Sequence, residues 1–345
     1  MDYFYYIYNH NHIQFSSHIY KVSSYHYNWH DDVEILILLK GHLEMSCNAE
    51  VFKMNPFDVV IISPQIGHAT LALEPDTMAI VMHIDKEYFT AFDSQFDGYH
   101  FVLHSDSENR DTPFYEHVRH HVAAMMLHQY DIAWETMGRK HNESNISPSL
   151  FMEQQFSILA YDVYEEVLHH KTDSILVRSK DTSSTTFVDM ISYIDDNYHG
   201  KIELEDIANI GGYSVAYTSQ FFKRHMGISF MEYLLRLRLR EATVRLANSD
   251  EPISRIANSV GFADIKAFNV AFKKQFHTTP SHYRSIAKEV GRETKLHDWK
   301  ELISAQSDDV LAILKDLNTE NETETKEDRL KIVQSELEKL LEILK

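Results

Sequence analysis

The sequence predicts an α+β multidomain chain: a β-barrel-like front end with a helical hairpin, then an all-α tandem helix-turn-helix domain and a helical C-terminal tail. Three observations predict it. The first 105 residues are cut into short aliphatic runs by turn residues. Apolar positions switch to helical spacing from residue 114. One short helical message is stated twice between residues 204 and 283.

The front end, residues 1–112, carries β-branched or aliphatic runs at 33–39, 43–47, 51–54, 59–62 and 78–84. Lys40-Gly41, Asn55-Pro56, Pro64 and Glu74-Pro75-Asp76 punctuate them. Many short strands at this spacing indicate an antiparallel sandwich or barrel. The strings HDDVEILILLKGHLEM from His30 and NPFDVVIISPQIGHA from Asn55 resemble the two halves of a small cupin barrel. The resemblance places His30, Glu34, Gly41 and His68 at the spaced His, Glu, Gly and His positions of that pattern. Two imidazoles and a carboxylate suit a divalent transition ion. However, Asn28 stands where the cupin pattern has a further His, so no metal ligand and no cofactor is assigned. The alternative is a sensor pocket for a small-molecule effector, with Trp29, His30, Glu34 and His68 as binding residues and Tyr25 and Tyr27 as further aromatic walls.

Residues 113–170 read as a helical hairpin. Val118, Val122, Met125 and Met126 form one apolar face, and Phe151, Phe156, Leu159, Val163 and Val167 another, with a loop over 138–149. The hairpin either completes the core of the front end or offers a homodimer face. Residues 171–186, containing DTSSTT, have almost no apolar period and read as a linker.

The repeat lies within residues 187–290. A helix through Val188, Ile191 and Ile194 precedes it. Ile207-Ala208-Asn209 recurs as Ile256-Ala257-Asn258, Gly212-Tyr213 as Gly261-Phe262, and Phe222-Lys223-Arg224 as Phe272-Lys273-Lys274. Each copy, 204–226 and 252–276, reads as a helix, a glycine turn and a second helix opened by a capping side chain, Ser214 or Asp264. That is the helix-turn-helix signature, whose second helix enters a DNA major groove. Residues 229–248 form a connecting helix about 30 Å long at 1.5 Å per residue, close to one turn of duplex DNA. Its arginines, Arg236, Arg238, Arg240 and Arg245, form either a solvated face or a rail along DNA.

Charge supports the assignment once it is divided. The whole chain carries −19, but residues 213–290 hold 12 basic and 6 acidic side chains, a local +6. Phosphate neutralisation is local, so the local count matters. Cys47 is the only cysteine, which excludes a disulfide framework and suits a reducing cytoplasm. Met1–Tyr8 lacks the pattern of a secretory leader, and the longest aliphatic runs are too short to cross a bilayer. A cytoplasmic location without membrane contact is expected.

Residues 187–290, including the IA…GF…FKK…TP…YR string at 256–284, resemble the DNA-binding domain of the AraC/XylS family of bacterial transcription regulators. The resemblance implies base-edge contacts from Ala216, Ser219 and Gln220 in the first copy and from Lys266, Asn269 and Val270 in the second. It implies that Lys223, Arg224, Lys273 and Lys274 approach phosphates or helix ends. It further implies a non-enzymatic, dimeric, effector-controlled regulator that reads two successive major grooves of double-stranded DNA, with RNA polymerase as a partner and a sugar or related metabolite among candidate effectors. Two features depart from the pattern: Val270 stands where many relatives carry a polar side chain, and 55 residues follow the domain. The alternatives are a metal-dependent cupin enzyme with a DNA-binding appendage and a ligand-independent dimeric regulator.

That remainder, residues 291–345, is an acidic tail expected to be helical. Its middle, 318–328, is loop-like, and Leu330, Val333, Leu337, Leu340 and Leu344 follow at coiled-coil spacing.

Overall fold

The computed structural model describes residues 5–10, 13–22, 27–28, 30–47, 50–136, 147–170, 183–290, 301–305 and 307–318. Ten strands build the front end: β1 (Tyr5–His10), β2 (Ile13–Lys21), β3 (Tyr27–Asn28), β4 (Asp32–Lys40), β5 (Leu43–Cys47), β6 (Glu50–Met54), β7 (Val59–Ile62), β8 (His68–Ala72), β9 (Met78–Asp85) and β10 (Val102–His104). A short helix, α1 (Lys86–Thr90), follows β9.

The strands form two antiparallel sheets rather than one closed barrel. The larger has the order β1-β2-β9-β4-β7-β10 and the smaller β3-β8-β5-β6. The chain crosses between them at Gly41, whose φ of +82° suits glycine and whose missing Cβ would meet Thr77 Oγ1 at 2.5 Å. Among the described residues no ladder joins the sheets, so of the sandwich or barrel expected from the sequence the front end takes the sandwich form.

The central strand β4 is buried on both faces, which is why its sequence does not alternate in polarity. Leu36 and Leu38 point between the sheets, where they meet Val60, Val81, Leu43 and Met45. Val33, Ile35 and Ile37 point the other way, onto two long helices, α2 (Pro113–Thr136) and α3 (Pro148–His170). The helices bury the faces named from the sequence, including Val118, Val122, Phe156 and Val163. Phe15 of β2 stacks on Phe156 with ring centroids 5.2 Å apart. The hairpin therefore completes the front core. The outer side of α3 still exposes Leu150, Ile158 and Tyr161.

Seven helices follow: α4 (Ser183–Asn197), α5 (Leu204–Gly211), α6 (Val215–Met226), α7 (Phe230–Asn248), α8 (Ile253–Ser259), α9 (Ile265–Phe276) and α10 (Pro280–Val290). Helix α4 opens inside the stretch expected to be linker, because Phe187, Met190, Ile191 and Ile194 recruit it into the helical core. Its side chains pack with Phe222, Tyr233, Phe272 and Tyr283, so both copies share one core. Each such buried side chain contributes roughly 1.5–3 kcal/mol.

The tail differs from a purely helical extension. A strand, β11 (Glu301–Ile303), returns to the front end and pairs antiparallel with β2, Ile303 opposite Ile19. Helix α11 (Asp308–Leu317) then packs on the front core through Val310 and Leu314, with Ala305 beside them. Burial of these three side chains is what selects the return. The leucine series from Leu330 to Leu344 and residues 319–328 lie outside the described residues.

Candidate functional site

Each helix-turn-helix unit is built from local rules. In the first, Gly212 closes α5 at φ +66°, and the Tyr213 amide donates to the Ala208 carbonyl. Ser214 then caps α6 by accepting from the Tyr217 amide at 3.3 Å. In the second, Gly261 turns at φ +91°, the Phe262 amide donates to the Ala257 carbonyl, and Asp264 caps α9 by accepting from the Ala267 amide at 2.7 Å. Phe222 and Phe272 anchor the two helices in the core.

With those inner faces fixed, the outer faces follow from helical period. On α6, Ala216, Ser219, Gln220, Lys223 and Arg224 are all exposed. On α9, the residues fifty positions later, Lys266, Asn269, Val270, Lys273 and Lys274, are exposed in the same order, with Val270 65% accessible. The structure thus places every sequence-nominated DNA contact on one of two equivalent solvent-facing surfaces. An exposed valine there offers only a methyl surface.

Three of the four connector arginines resolve differently from either expectation. Arg236 Nε donates to Glu44 Oε1 of β5 at 2.7 Å. Arg238 donates to the carbonyls of Tyr198 and Gly200 at 2.8 and 2.7 Å. Arg240 pairs with Glu241 at 2.8 Å and is 5% exposed, while Arg245 pairs with Glu251 at 3.7 Å. Arg238 and Arg240 hold the helical domain together and Arg236 ties it to the front end, whereas the Arg245 side chain stays 39% exposed.

The Arg236–Glu44 pair belongs to an interface between the front end and the helical domain. The Ser46 hydroxyl of β5 donates to the Met226 carbonyl at the end of α6. Ala69 and Leu71 of β8 are buried in the helical domain's own core. Strand alternation then sets the opposite face of β8, with His68 and Thr70, toward the inside of the sandwich.

There His68 meets His30 and Glu34. His30 Nε2 lies 2.8 Å and His68 Nε2 3.3 Å from Glu34 Oε2. A further imidazole joins them: His83 of β9 is directly opposite Glu34 in the β4–β9 ladder, with Nε2 at 3.8 Å from the same oxygen. Glu34 is 4% exposed and His68 fully buried. Burial by itself would raise the Glu34 carboxyl, yet His68, His30 and His83 outweigh it and hold the group well below the usual carboxylate range. Burial lowers His30, but its hydrogen bond to Glu34 reverses that and leaves it raised. Asn28 pairs with His68 across β3 and β8. Trp29 and Tyr25 lie outside the described residues, as does the Tyr27 side chain. Gly41 lies at the sheet crossing, not in this cluster.

A helix-turn-helix domain family matches residues 207–286. The matched segment is an AraC-type helix-turn-helix domain. The chain is 30% identical over 141 residues to the raffinose operon transcriptional regulatory protein RafR of Pediococcus pentosaceus, a match covering 41% of this chain and 50% of that one. It is 29% identical over 142 residues to the Msm operon regulatory protein of Streptococcus mutans, covering 41% and 49%. The chain thus spans about half the length of these curated relatives. Among solved structures, a transcriptional regulator of Chromobacterium violaceum described by its AraC-type DNA-binding domain is 26% identical, covering 30% of this chain and 94% of that one, with a TM-score of 0.29.

Outside its AraC-type domain, sequence reasoning missed His83. Its signal was present, since the inward residues of β9 are Ala79, Val81 and then His83. Only the register of β9 against β4 identifies the partner as Glu34. No described helix is long and apolar enough to cross a membrane.

Proposed function

We propose that the chain is a sequence-specific DNA-binding transcriptional regulator whose front sandwich, residues 1–112, takes a small-molecule effector. The observation that carries this reading is the pair of equivalent exposed surfaces on α6 and α9, joined by one helix about as long as a turn of duplex DNA. Ala216, Ser219, Gln220, Lys266, Asn269 and Val270 meet base edges, while Lys223, Arg224, Lys273 and Lys274 approach phosphates. The likeness to a regulator named for a raffinose operon supports a sugar or related metabolite as effector. The outer face of α3 is the homodimer surface, because Leu150, Ile158 and Tyr161 stay exposed on one side of a helix otherwise committed to the core.

The effector acts through β8, whose two faces touch the two modules: His68 in the pocket, Ala69 and Leu71 in the helical core. An effector controls DNA binding to the extent that it favours one docking of the modules over another. Selection of bound sites from random duplex DNA by the full chain tests the proposal. Enrichment of two short sequence blocks one helical turn apart is expected. Recovery of no preferred sequence across salt concentrations would overturn it. With an effector in hand, Glu34→Ala should abolish the response and leave basal DNA binding intact.

A further inference from the structure

The Glu34 cluster has a hydrogen-bonding problem that a small organic effector does not solve. His30 Nδ1 lies 3.0 Å from the Asp32 carbonyl, and His68 Nδ1 lies 3.1 Å from the Ile66 carbonyl. A carbonyl oxygen only accepts, so both Nδ1 atoms carry the ring hydrogen. In a neutral imidazole the remaining nitrogen, Nε2, then holds a lone pair. Both Nε2 atoms face Glu34 Oε2, which is itself an acceptor. One added proton satisfies the closer contact, that of His30. It leaves His68 Nε2 buried without a hydrogen bond, 3.3 Å from the same oxygen. A second proton would put two imidazolium rings beside one carboxylate in a largely buried site, at a heavy desolvation cost.

A single cation relieves the crowding of acceptors at Glu34, because it accepts lone pairs from imidazole and carboxylate alike. The surroundings suit it. Ring nitrogens opposite a bound metal characteristically donate to backbone carbonyls, the arrangement that His30 shows. Ligand atoms of His30, Glu34 and His83 lie within 4.8 Å of one another. The His30 and His83 side chains are each 18% exposed, which gives an ion a way in from solvent.

We infer that His30, Glu34 and His83 bind one divalent transition-metal ion in the front pocket, with His68 Nε2 beside Glu34 at its edge. Two imidazoles and a carboxylate select the cobalt, nickel and zinc class over magnesium or calcium. The donor that completes the set, His83, lies outside the spaced His, Glu, Gly and His pattern and comes from a strand that the pattern does not include. This names the chemistry of the pocket and rests on the reading of that pocket as the ligand site.

The test is titration of chelator-stripped, full-length protein with cobalt(II), followed by visible ligand-field absorption and by thermal melting. Saturation at one ion per chain is expected, with a rise in melting temperature and displacement by zinc. Glu34→Gln and His83→Gln should each weaken binding by about 100-fold or more, since outer-shell changes alone cost 10–100-fold. Far-UV circular dichroism checks that the variants fold. The double variant His42→Gln/His117→Gln removes two exposed imidazoles and should bind as the parent does. Absence of saturable absorption in the parent overturns the inference. Loss of the signal in His42→Gln/His117→Gln overturns it too, as does parental affinity in both pocket variants. If a pocket variant fails to fold, the parent stoichiometry and the His42/His117 variant decide. DNA selection on the same samples separates the two readings. Intact site selection without cobalt binding sinks the ion alone, whereas cobalt binding without site selection supports the ion and sinks the regulator.

Discussion

The two helix-turn-helix units share a plan but are attached to the front end by different means. The first touches it directly: Met226 at the end of α6 accepts from Ser46, and Arg236 in the second turn of α7 grips Glu44. The second is joined to it through the chain, since ten residues after α10 the backbone re-enters the front sheet as β11. The first unit is thus positioned by side chains that a ligand-induced shift of β5 or β8 can disturb. The second is held by a covalent connection that such a shift does not break. An effector signal should therefore reach α6 before α9.

The largest test of this contrast removes the connection. Truncation after Arg292 deletes Ala305, Val310 and Leu314 from the front core, and at roughly 1.5–3 kcal/mol for each large apolar side chain the loss should exceed about 3 kcal/mol. Melting of the truncated and full chains measures it, and equal midpoints would break the account of the tail.

The turn glycines provide a sharper pair. A Cβ on Gly261 would lie 2.8 Å from the Tyr198 carbonyl oxygen and 2.8 Å from Arg238 Nε, whereas one on Gly212 has nothing within 4 Å. Gly212→Ala should therefore cost only the left-handed backbone penalty, about 1–2 kcal/mol. Gly261→Ala should cost about 3 kcal/mol, because it also disturbs the charged hydrogen bonds of Arg238. Chemical denaturation of the two variants compares them, and equal losses would mean that the Arg238 contact contributes nothing.

Base reading divides the units next. Gln220→Ala should cost on the order of 1–3 kcal/mol at one position of the preferred site, since glutamine can pair bidentately with adenine. Lys273→Ala should weaken all duplexes alike and lower the salt slope by about one unit. Equal weakening of specific and nonspecific duplexes by Gln220→Ala would reassign sequence reading to α9.

The smallest expected effect concerns acidity. Tyr233 donates to Asp195 at 3.2 Å, while its counterpart Tyr283 pairs with the neutral side chain of Thr243. Burial pushes the Asp195 carboxyl up to about 6, against the opposing pull of Tyr233 and Arg240. A group bound more tightly to its proton in the folded state loses stability as pH rises from its unfolded value near 4 to about 6. That loss, on the order of 1 kcal/mol after allowance for partial exposure, should vanish in Asp195→Asn. Melting between pH 4 and pH 7 reads it, and an unchanged slope in the variant would exclude Asp195 as the source.

What the sequence made legible follows the same division between local and distant. Ser214, Asp264, Gly212 and Phe222 act on residues within one or two helical turns, so the reading helices and their exposed faces could be drawn from spacing alone. Distant pairings could not. Glu34 meets His83 only through the register of β4 and β9, and the stretch between them holds four strands' worth of polar and apolar residues. The arginines of α7 illustrate the same limit, because a charged side chain on a helix does not announce whether Glu44, a backbone carbonyl or a phosphate will receive it. Strand β11 had no sequence signal at three residues, and its pairing with β2 and the burial around it are what define it.

The return of β11 also changes what kind of motion the helical domain can make. Because chain enters it from α3 and leaves it toward β2, residues 183–290 form an insertion whose two ends are anchored in the same module. An object attached at one point can swivel freely, but one attached at two points turns mainly about the line between them. Undocking of Glu44 from Arg236 would then swing the domain through an arc rather than release it into solution. The closed loop keeps it near its docking surface, since the entropy of loop closure grows only slowly with loop length. Re-docking after each excursion becomes an intramolecular event at high effective concentration, independent of how dilute the protein is.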